Sequence, residues 1–174
     1  MQETPYLKGR SDLIEIIRKI PFLQSYSDTQ LLDILALSKM RKFAPGDLIT
    51  REGEYDSWLY IILSGEVMIT SRGTPVAQIT ETGATIGEMA IVDGEARSAS
   101  ANAVTETTSL AIDMSVTDRM DAAGREKFDA VYFRLLSKIL VNRLRKTTHE
   151  LLQARENIKE LTDAILLQQA GEKR

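Results

Sequence analysis

The spacing of apolar positions changes twice along the chain and divides it into three zones. Between Ser11 and Met40 apolar residues recur at helical intervals, which indicates two short amphipathic helices separated by Pro21. Ser27 is followed three residues later by Gln30, a pair typical of a capping box at the start of the second helix. We expect the first dozen residues to be loose.

The second zone, from Arg41 to Asp113, carries the signals of β structure. Short runs rich in Ile, Val, Thr and aromatic residues alternate with Gly-containing turns at intervals of roughly 8–12 residues, as in an all-β sandwich or barrel. Representative strands are predicted at 58–63, 66–70, 76–79, 98–103 and 109–112. Arg72-Gly73 suits a tight hairpin between two of them, because Gly tolerates the positive φ that such turns require.

The third zone is helical again and unusually long. Ser115 and Asp118 resemble a capping box, and Gly124 is placed to end the short helix that they begin. Neither Gly nor Pro then occurs until Gly171. A helix from about 129 to 169 would extend about 60 Å at the standard rise.

These zones predict a mainly β architecture with flanking helices, of the α+β class. We expect a double-stranded β-helix or jelly-roll-like β-roll, with N-terminal helices and a hinge helix, over residues 1–124. A long C-terminal coiled-coil helix would follow over residues 125–174.

A seven-residue period runs along the predicted long helix. It comprises two series offset by four positions: Leu144, Leu151, Ile158 and Ile165, and Leu140, Thr147, Ala154 and Leu161. These series fit the a and d positions of a coiled coil, and Ile at distal a positions favours two parallel strands. Glu150 at g and Arg155 at the following e can then cross-link the two helices. The pattern predicts a parallel homodimer, with a helix packed back on its own head as the alternative.

Composition and charge exclude several classes of function. The 22 Lys and Arg residues against 25 Asp and Glu give a net charge of −3, without the basic excess that drives binding to nucleic acid or anionic lipid. The absence of Cys excludes thiolate metal sites. The single histidine, His149, cannot supply a His-rich metal cage, and an ordinary Ser-His-Asp triad would leave no histidine for any other role. The chain has neither a secretory signal nor an apolar stretch of membrane-spanning length. We expect a cytoplasmic protein that is not an enzyme and has no metal, cofactor or membrane association.

The segment from Ile86 to Ala99 stands apart from ordinary strand-and-turn sequence. Gly87 permits a close backbone approach, and the four residues after it can form a helical turn whose free N–H groups attract an anion. Arg97 can reach a phosphate there with its planar fork of donors, and Ser98 can add a hydroxyl. Glu88 would repel a phosphate and is better suited to accept hydrogen bonds from hydroxyl groups. The combination suits a sugar phosphate.

This segment resembles the phosphate-binding cassette of the cyclic nucleotide-binding domain family. The shared pattern is Gly-Glu, a small hydrophobic stretch, Gly, and then Arg followed by a small residue and Ala. The resemblance extends from about Phe22 to Leu151. It implies that Glu88 binds the ribose 2′-hydroxyl, that Arg97 binds the cyclic phosphate, and that the backbone N–H groups of Met89 and Ala90 complete the phosphate cradle.

Within that family, the long helix resembles the catabolite activator type through the stretch from Asn142 to Thr148. The resemblance implies that Thr147 contacts the base in its own subunit and that Thr148 contacts the ligand in the partner subunit. It also implies that Arg143 supports Glu88. Position agrees, because Thr147 at d and Thr148 at e lie at or beside the dimer seam.

The sequence therefore predicts a sensor of cAMP, or of cGMP, that transmits ligand occupancy through a dimeric helix to an unidentified protein. Ligand would draw the cassette and the long helix together about a hinge near Gly124. Relatives with this helix usually continue into a helix-turn-helix, but no further helices follow before Arg174, so we expect no direct DNA binding unless the chain is a fragment of a larger transcription regulator.

Other interpretations remain open. The protein can be a coiled-coil adaptor whose cassette binds nothing, with Glu88 and Arg97 as a structural ion pair and Thr147 and Thr148 only setting coil register. A metal-dependent enzyme on a jelly-roll-like barrel would need several converging His or carboxylate ligands, which one helical His and scattered acids do not supply.

Overall fold

The structure, a computed structural model, describes residues 1–119 and 122–171. Its strands are β1 (Gln2–Glu3), β2 (Ser38–Phe43), β3 (Leu48–Thr50), β4 (Trp58–Ser64), β5 (Val67–Ser71), β6 (Thr74–Ile79), β7 (Thr85–Ile86), β8 (Ser100–Ala103) and β9 (Thr107–Asp113). Its α-helices are α1 (Ile14–Ile17), α2 (Asp28–Ala36), α3 (Glu88–Asp93) and α4 (Ala122–Gly171). Short 3₁₀ helices occur at Ser11–Leu13, Pro21–Leu23 and Met114–Arg119.

In the described part of the chain, the strands form two antiparallel sheets. One has the order β1-β2-β9-β4-β7, and the other has the order β3-β8-β5-β6. The predicted hairpin at Arg72-Gly73 joins β5 to β6, and both of its residues have positive φ, of 52° and 75°. The prediction of a mainly β roll with flanking helices is confirmed.

The core lies between the two sheets. Phe43 and Tyr60 meet edge to face, with ring centroids 6.4 Å apart. Ile62, Val67 and Ile86 are buried in the same cluster. Burying each such side chain contributes roughly 1.5–3 kcal/mol, so this cluster fixes the sheet register and with it the end of β7, where α3 follows.

The N-terminal helices form largely as the sequence predicts. The capping box of α2 is present: Ser27 Oγ accepts from the Gln30 amide at 3.3 Å, and Gln30 Oε1 accepts from the Ser27 amide at 3.1 Å. Pro21 begins a 3₁₀ helix, where its missing N–H costs nothing. The helical zone ends earlier than its apolar spacing suggests, because β2 already begins at Ser38.

The expectation that the first dozen residues are loose is wrong. β1 pairs with β2, and the Thr4 amide donates to the carbonyl of Met40 at 2.9 Å. Glu3 forms ion pairs with Lys39 and Arg41, which hold its pKa below the ordinary range. This segment covers the edge of β2, which would otherwise expose unpaired backbone groups.

The passage from β9 into the long helix differs from the sequence prediction. Ser115 donates through both its amide and its Oγ to Asp113 Oδ1, at 3.0 and 2.7 Å. The cap of the 3₁₀ helix therefore comes from Asp113, and the Asp118 side chain lies outside the described residues. Gly124 does not end this helix, because α4 already begins at Ala122. The predicted hinge near Gly124 stays a prediction.

The chain divides into two compact units, Met1–Leu136 and Ser137–Arg174. Residues 124 and 125, between which the sequence analysis places the boundary, both belong to α4, and that division stays a prediction. Among the described residues, no helix is both long and apolar enough to cross a membrane.

Candidate phosphate-binding site

Gly87 connects β7 to α3 and must be a glycine for two reasons. Its φ of 93° lies in the left-handed region, which costs other residues about 1–2 kcal/mol. A Cβ at this position would also lie 1.9 Å from Nη1 of Arg97 and 3.0 Å from the carbonyl oxygen of Trp58. The sequence predicts that Gly87 lets another group approach the backbone closely. In the structure that group is the guanidinium of Arg97.

Arg97 is almost entirely buried, with 3% of its surface exposed. Among the described contacts, its guanidinium donates four hydrogen bonds. Nε binds Asp56 Oδ2 at 3.0 Å, and Nη1 binds the carbonyl oxygen of Gly87 at 2.7 Å. Nη2 donates to Asp56 Oδ1 and to the carbonyl oxygen of Trp58. The side chain is thus tied both to the start of α3 and to the start of β4.

Asp56 is the site residue that sequence reasoning missed. Burial raises the pKa of its carboxyl, but hydrogen bonds from Arg97 and from the Trp58 amide lower it more, so the net pKa lies below the ordinary value of 3.8. The carboxylate is therefore ionised at neutral pH and pairs with the guanidinium. One local signal was available, since an Asp two residues before a strand accepts readily from the strand's first amide, as Asp56 does from Trp58 at 2.9 Å.

The arrangement changes the predicted role of Arg97. The sequence suggests that its planar fork points at a phosphate, whereas here the fork holds Asp56. If the cassette binds nothing, the sequence suggests Glu88 as the ion-pair partner of Arg97, whereas in the structure that partner is Asp56. By the described hydrogen bonds, one Nη1–H is left to meet an anion. A bidentate contact with a phosphate would require Arg97 to leave Asp56.

Glu88 is the first residue of α3, and its side chain is fully buried. A carboxylate taken out of water needs donors around it. The suggestion that it accepts from a ligand hydroxyl stays a prediction.

The other cassette residues are more accessible. Met89 and Ser98 are exposed, and Ala90 is half-buried. The amides of Met89 and Ala90 belong to the first turn of α3, where no intrahelical carbonyl is available to them.

The remaining predicted ligand contacts lie in the second compact unit. Arg143, Thr147 and Thr148 are exposed residues of α4. Their predicted contacts with the base, with a partner subunit's ligand and with Glu88 stay predictions. As for metals, the described residues contain no group of three or more His, Asp or Glu side chains placed to hold an ion.

Sequence comparison relates the chain to regulators and channels. It is 29% identical over 98 residues to a cyclic nucleotide-gated potassium channel of Rhizobium etli, an alignment that covers 56% of this chain and 27% of the channel. It is 27% identical over 106 residues to a cGMP-dependent protein kinase of Eimeria tenella, covering 61% of this chain and 10% of the kinase. The chain therefore spans about a quarter or less of the length of these curated relatives.

Solved structures show the same fold. A cyclic nucleotide-binding domain from Methylobacillus flagellatus superposes with a TM-score of 0.70 at 22% identity, covering 87% of each chain. The regulatory subunit of a cAMP-independent protein kinase A from Trypanosoma brucei gives a TM-score of 0.61 at 25% identity, covering 80% of this chain and 46% of that one. The profile of the cyclic nucleotide-binding domain matches residues 40–121, which include the whole cassette. Residues 40–121 of this protein therefore carry a cyclic nucleotide-binding domain.

Proposed function

We propose that this protein is a cAMP-responsive regulator that acts by binding rather than by catalysis. Its β-roll binds the nucleotide, and its long helix pairs with that of a second copy and carries ligand occupancy to another protein. The observation that carries the proposal is the anchoring of Arg97 to the Gly87 carbonyl. That bond holds a positive charge beside the first amides of α3.

The chemistry favours a cyclic phosphate diester attached to a sugar. A diester carries one negative charge, which one charged Nη1–H and the amides of Met89 and Ala90 can meet without removing Arg97 from Asp56. Because Asp56 fixes the guanidinium in advance, little side-chain entropy remains to be lost on binding. Glu88 follows Gly87 directly and accepts from the ribose 2′-hydroxyl in this proposal.

The second compact unit supports the dimer. Its described residues expose a row of large apolar side chains at heptad a and d positions: Leu144, Leu151, Ile158, Leu161 and Ile165. A single helix in water gains nothing from such a row, whereas pairing two helices buries both at about 25 cal/mol per Å². Parallel pairing sets Glu150 near the partner's Arg155 and brings Thr148 to the neighbouring site. The segment from Glu150 to Gln169 is then the surface that the downstream protein reads.

Regulation requires two states that bind the ligand with different affinity. The free energy available for signalling equals that difference and cannot exceed it. We propose that cAMP stabilises one arrangement of the paired helices relative to the other.

An adaptor whose cassette binds nothing is the second candidate. It is favoured by the Arg97–Asp56 pair, which balances the charge of the arginine without a ligand. Calorimetry with cAMP, cGMP and adenosine separates the two candidates. The sensor proposal expects cAMP to bind and adenosine to bind at least 100-fold more weakly, because adenosine lacks the phosphate.

Arg97→Ala should weaken cAMP binding by roughly 30- to 1000-fold, the equivalent of about 2–4 kcal/mol. The control is Arg51→Ala, which removes an arginine from an exposed surface pair with Glu54. Undetectable binding of cAMP and cGMP to the wild type would favour the adaptor. Arg97→Ala binding as tightly as wild type would show that the cassette assignment is wrong.

A further inference from the structure

A cavity of about 420 Å³ opens within the first compact unit, and Ala90 is the one predicted nucleotide contact among its described lining residues. It lies among α3, the residues leading into β4, the 3₁₀ helix that follows β9, and the first turns of α4. Two aromatic residues that line it are strongly exposed: Tyr55 by 75% and Phe133 by 62%. Exposed aromatic residues beside a cavity of this size are typical of a recognition site.

The charged residues that line the cavity are acidic. Glu95 is exposed and Asp129 is half-buried, and no lysine or arginine is among its described lining residues. In the part of the chain that the structure describes, neither carboxylate forms an ion pair. Asp56 also lines the cavity, but Arg97 neutralises it. The cavity therefore presents two uncompensated negative charges.

Aromatic faces next to carboxylates make a favourable environment for an organic cation. A guanidinium or ammonium group gains both from a ring face and from a nearby carboxylate. Ile91 and Met114 line the same cavity and offer apolar surface to a neighbouring group. A small free amine would leave both exposed rings largely in water, whereas a peptide segment can cover them while inserting its cation.

We propose that this cavity is the docking site for a basic segment of a partner protein. An arginine or lysine of that segment lies among Tyr55, Phe133, Glu95 and Asp129, and an adjacent apolar side chain packs against Ile91 and Met114. This goes beyond nucleotide binding, since none of these six residues belongs to the predicted nucleotide contacts. The partner site and the nucleotide site meet at Ala90, which lines the cavity, and at Asp56, which lines it and also holds Arg97.

The test is selection from a phage-displayed library of random twelve-residue peptides on the full chain without nucleotide. We expect the selected peptides to carry Arg or Lys beside an apolar residue. Fluorescence anisotropy should then show at least tenfold weaker binding of those peptides to Glu95→Gln/Asp129→Asn. Tyr55→Ala/Phe133→Ala, which changes only exposed rings, should weaken binding to a similar degree. The single variant Glu95→Gln, at an exposed position, keeps the test valid if the Asp129 substitution disturbs α4.

The matched control is Glu106→Gln/Asp163→Asn, which removes the same charge from exposed positions outside the cavity and should bind within twofold of wild type. Selection of acidic or wholly apolar peptides, or unchanged binding to the cavity variants, overturns the proposal. It is also overturned if free arginine amide binds as tightly as the peptides, since a small cation would then be the ligand. Loss of self-association in Tyr55→Ala/Phe133→Ala by light scattering would instead assign the cavity to a second copy.

Because no nucleotide is present in these measurements, their outcome is independent of the sensor proposal.

Discussion

In the first compact unit the groups of the candidate site are bonded within the chain, whereas in the second unit apolar residues face solvent. Arg97 is buried and donates to Asp56, Gly87 and Trp58. Along α4, Leu144 is 68% exposed and Ile158 is 64% exposed. The arginine of the first unit therefore has its partners within the chain, and these apolar residues of the second unit present a surface that remains to be covered.

This difference indicates which parts of the molecule depend on a partner for their stability. A single long helix in water has no core, and its stability depends on packing of its apolar face. A β-roll with a shared core keeps its site in place without a partner. Substitutions at the exposed apolar positions of α4 should therefore change assembly first, and substitutions in the cassette should change stability and affinity together.

The largest expected effect concerns Leu151 and Leu152. Both are 52% exposed in this structure, but only Leu151 lies in the heptad series. Leu151→Asp places two facing carboxylates in the proposed seam, and the double variant with Ile158→Asp places four. We expect the double variant to be monomeric by light scattering at concentrations where wild type is dimeric. Leu152→Asp, with the same charge one position away, should remain dimeric.

The dimer prediction also tests the shared site. If Thr148 contacts the ligand of the partner subunit, the monomeric variant should bind cAMP more weakly by calorimetry. A variant that stays dimeric contradicts the seam, and a monomer that binds cAMP normally contradicts the shared site while leaving the seam intact.

The next effect compares two glycines that flank α3. Gly87→Ala places a methyl group on the Arg97 guanidinium and should destabilise the protein by about 2–4 kcal/mol, from the left-handed φ and from lost hydrogen bonds. Gly94→Ala has a similar φ of 72° but open space around its Cβ, and should cost only about 1–2 kcal/mol. Denaturant unfolding measures both.

Ligand affinity should separate these glycines further. We expect Gly87→Ala to lose at least 30-fold in cAMP affinity, because Arg97 cannot keep its position, and Gly94→Ala to lose little. Equal losses of cAMP affinity in the two variants would mean that backbone strain, and not displacement of Arg97, weakens ligand binding.

The parts of the molecule that the sequence predicts well are those with local signals. The cassette is a contiguous segment, and the long helix is indicated by a stretch without Gly or Pro. The coiled coil that its heptad series indicates stays a prediction. The capping box at Ser27 and the hairpin at Arg72-Gly73 are equally local, and both are present in the structure.

The parts that could not be predicted depend on long-range pairing. Asp56 lies 41 residues before Arg97, and the two meet because backbone hydrogen bonds pair Arg97 with Gly53 and Glu54, close to Asp56 in the chain. β1 has two residues, too few to show a strand period, and its pairing with β2 spans a similar separation. Gly124 fits either end of a helix by type, so only the structure shows that α4 begins before it.

Base selectivity is expected to have a smaller effect. Competition binding should favour cAMP over cGMP about tenfold, or 1.4 kcal/mol. A threonine hydroxyl both donates and accepts, so the preference depends on its placement and not on its type.

Thr148→Val should lower cAMP affinity roughly fivefold through one lost hydrogen bond. Thr162→Val, at the next-but-one heptad e position, removes only a bond to the Ile158 carbonyl and should leave affinity unchanged. Equal affinities for the two nucleotides would contradict the base contact but not the cassette.

The smallest expected effect tests whether the site residues stabilise the first unit without ligand. Two Asp–Arg pairs of this unit differ in burial. The side chains of Arg97 and Asp56 are 2% and 28% exposed, whereas those of Arg10 and Asp12 are 52% and 60% exposed. Asp56→Asn should lower the free energy of unfolding by about 1 kcal/mol at pH 7, because Arg97 loses its ionised partner. Asp12→Asn should have no measurable effect, since exposed ion pairs contribute little.

The pH dependence of this loss follows from the lowered pKa of Asp56. A carboxyl whose pKa is lower in the folded state than its ordinary 3.8 contributes stability that is fully present above that value and is lost as the pH falls through the folded-state pKa. The difference between wild type and Asp56→Asn should therefore stay constant from pH 7 to about pH 5 and then shrink in acid. Urea unfolding at a series of pH values, without nucleotide, measures it. A difference that does not shrink in acid would mean that the hydrogen-bond geometry of Asp56, and not its charge, holds Arg97 in the site.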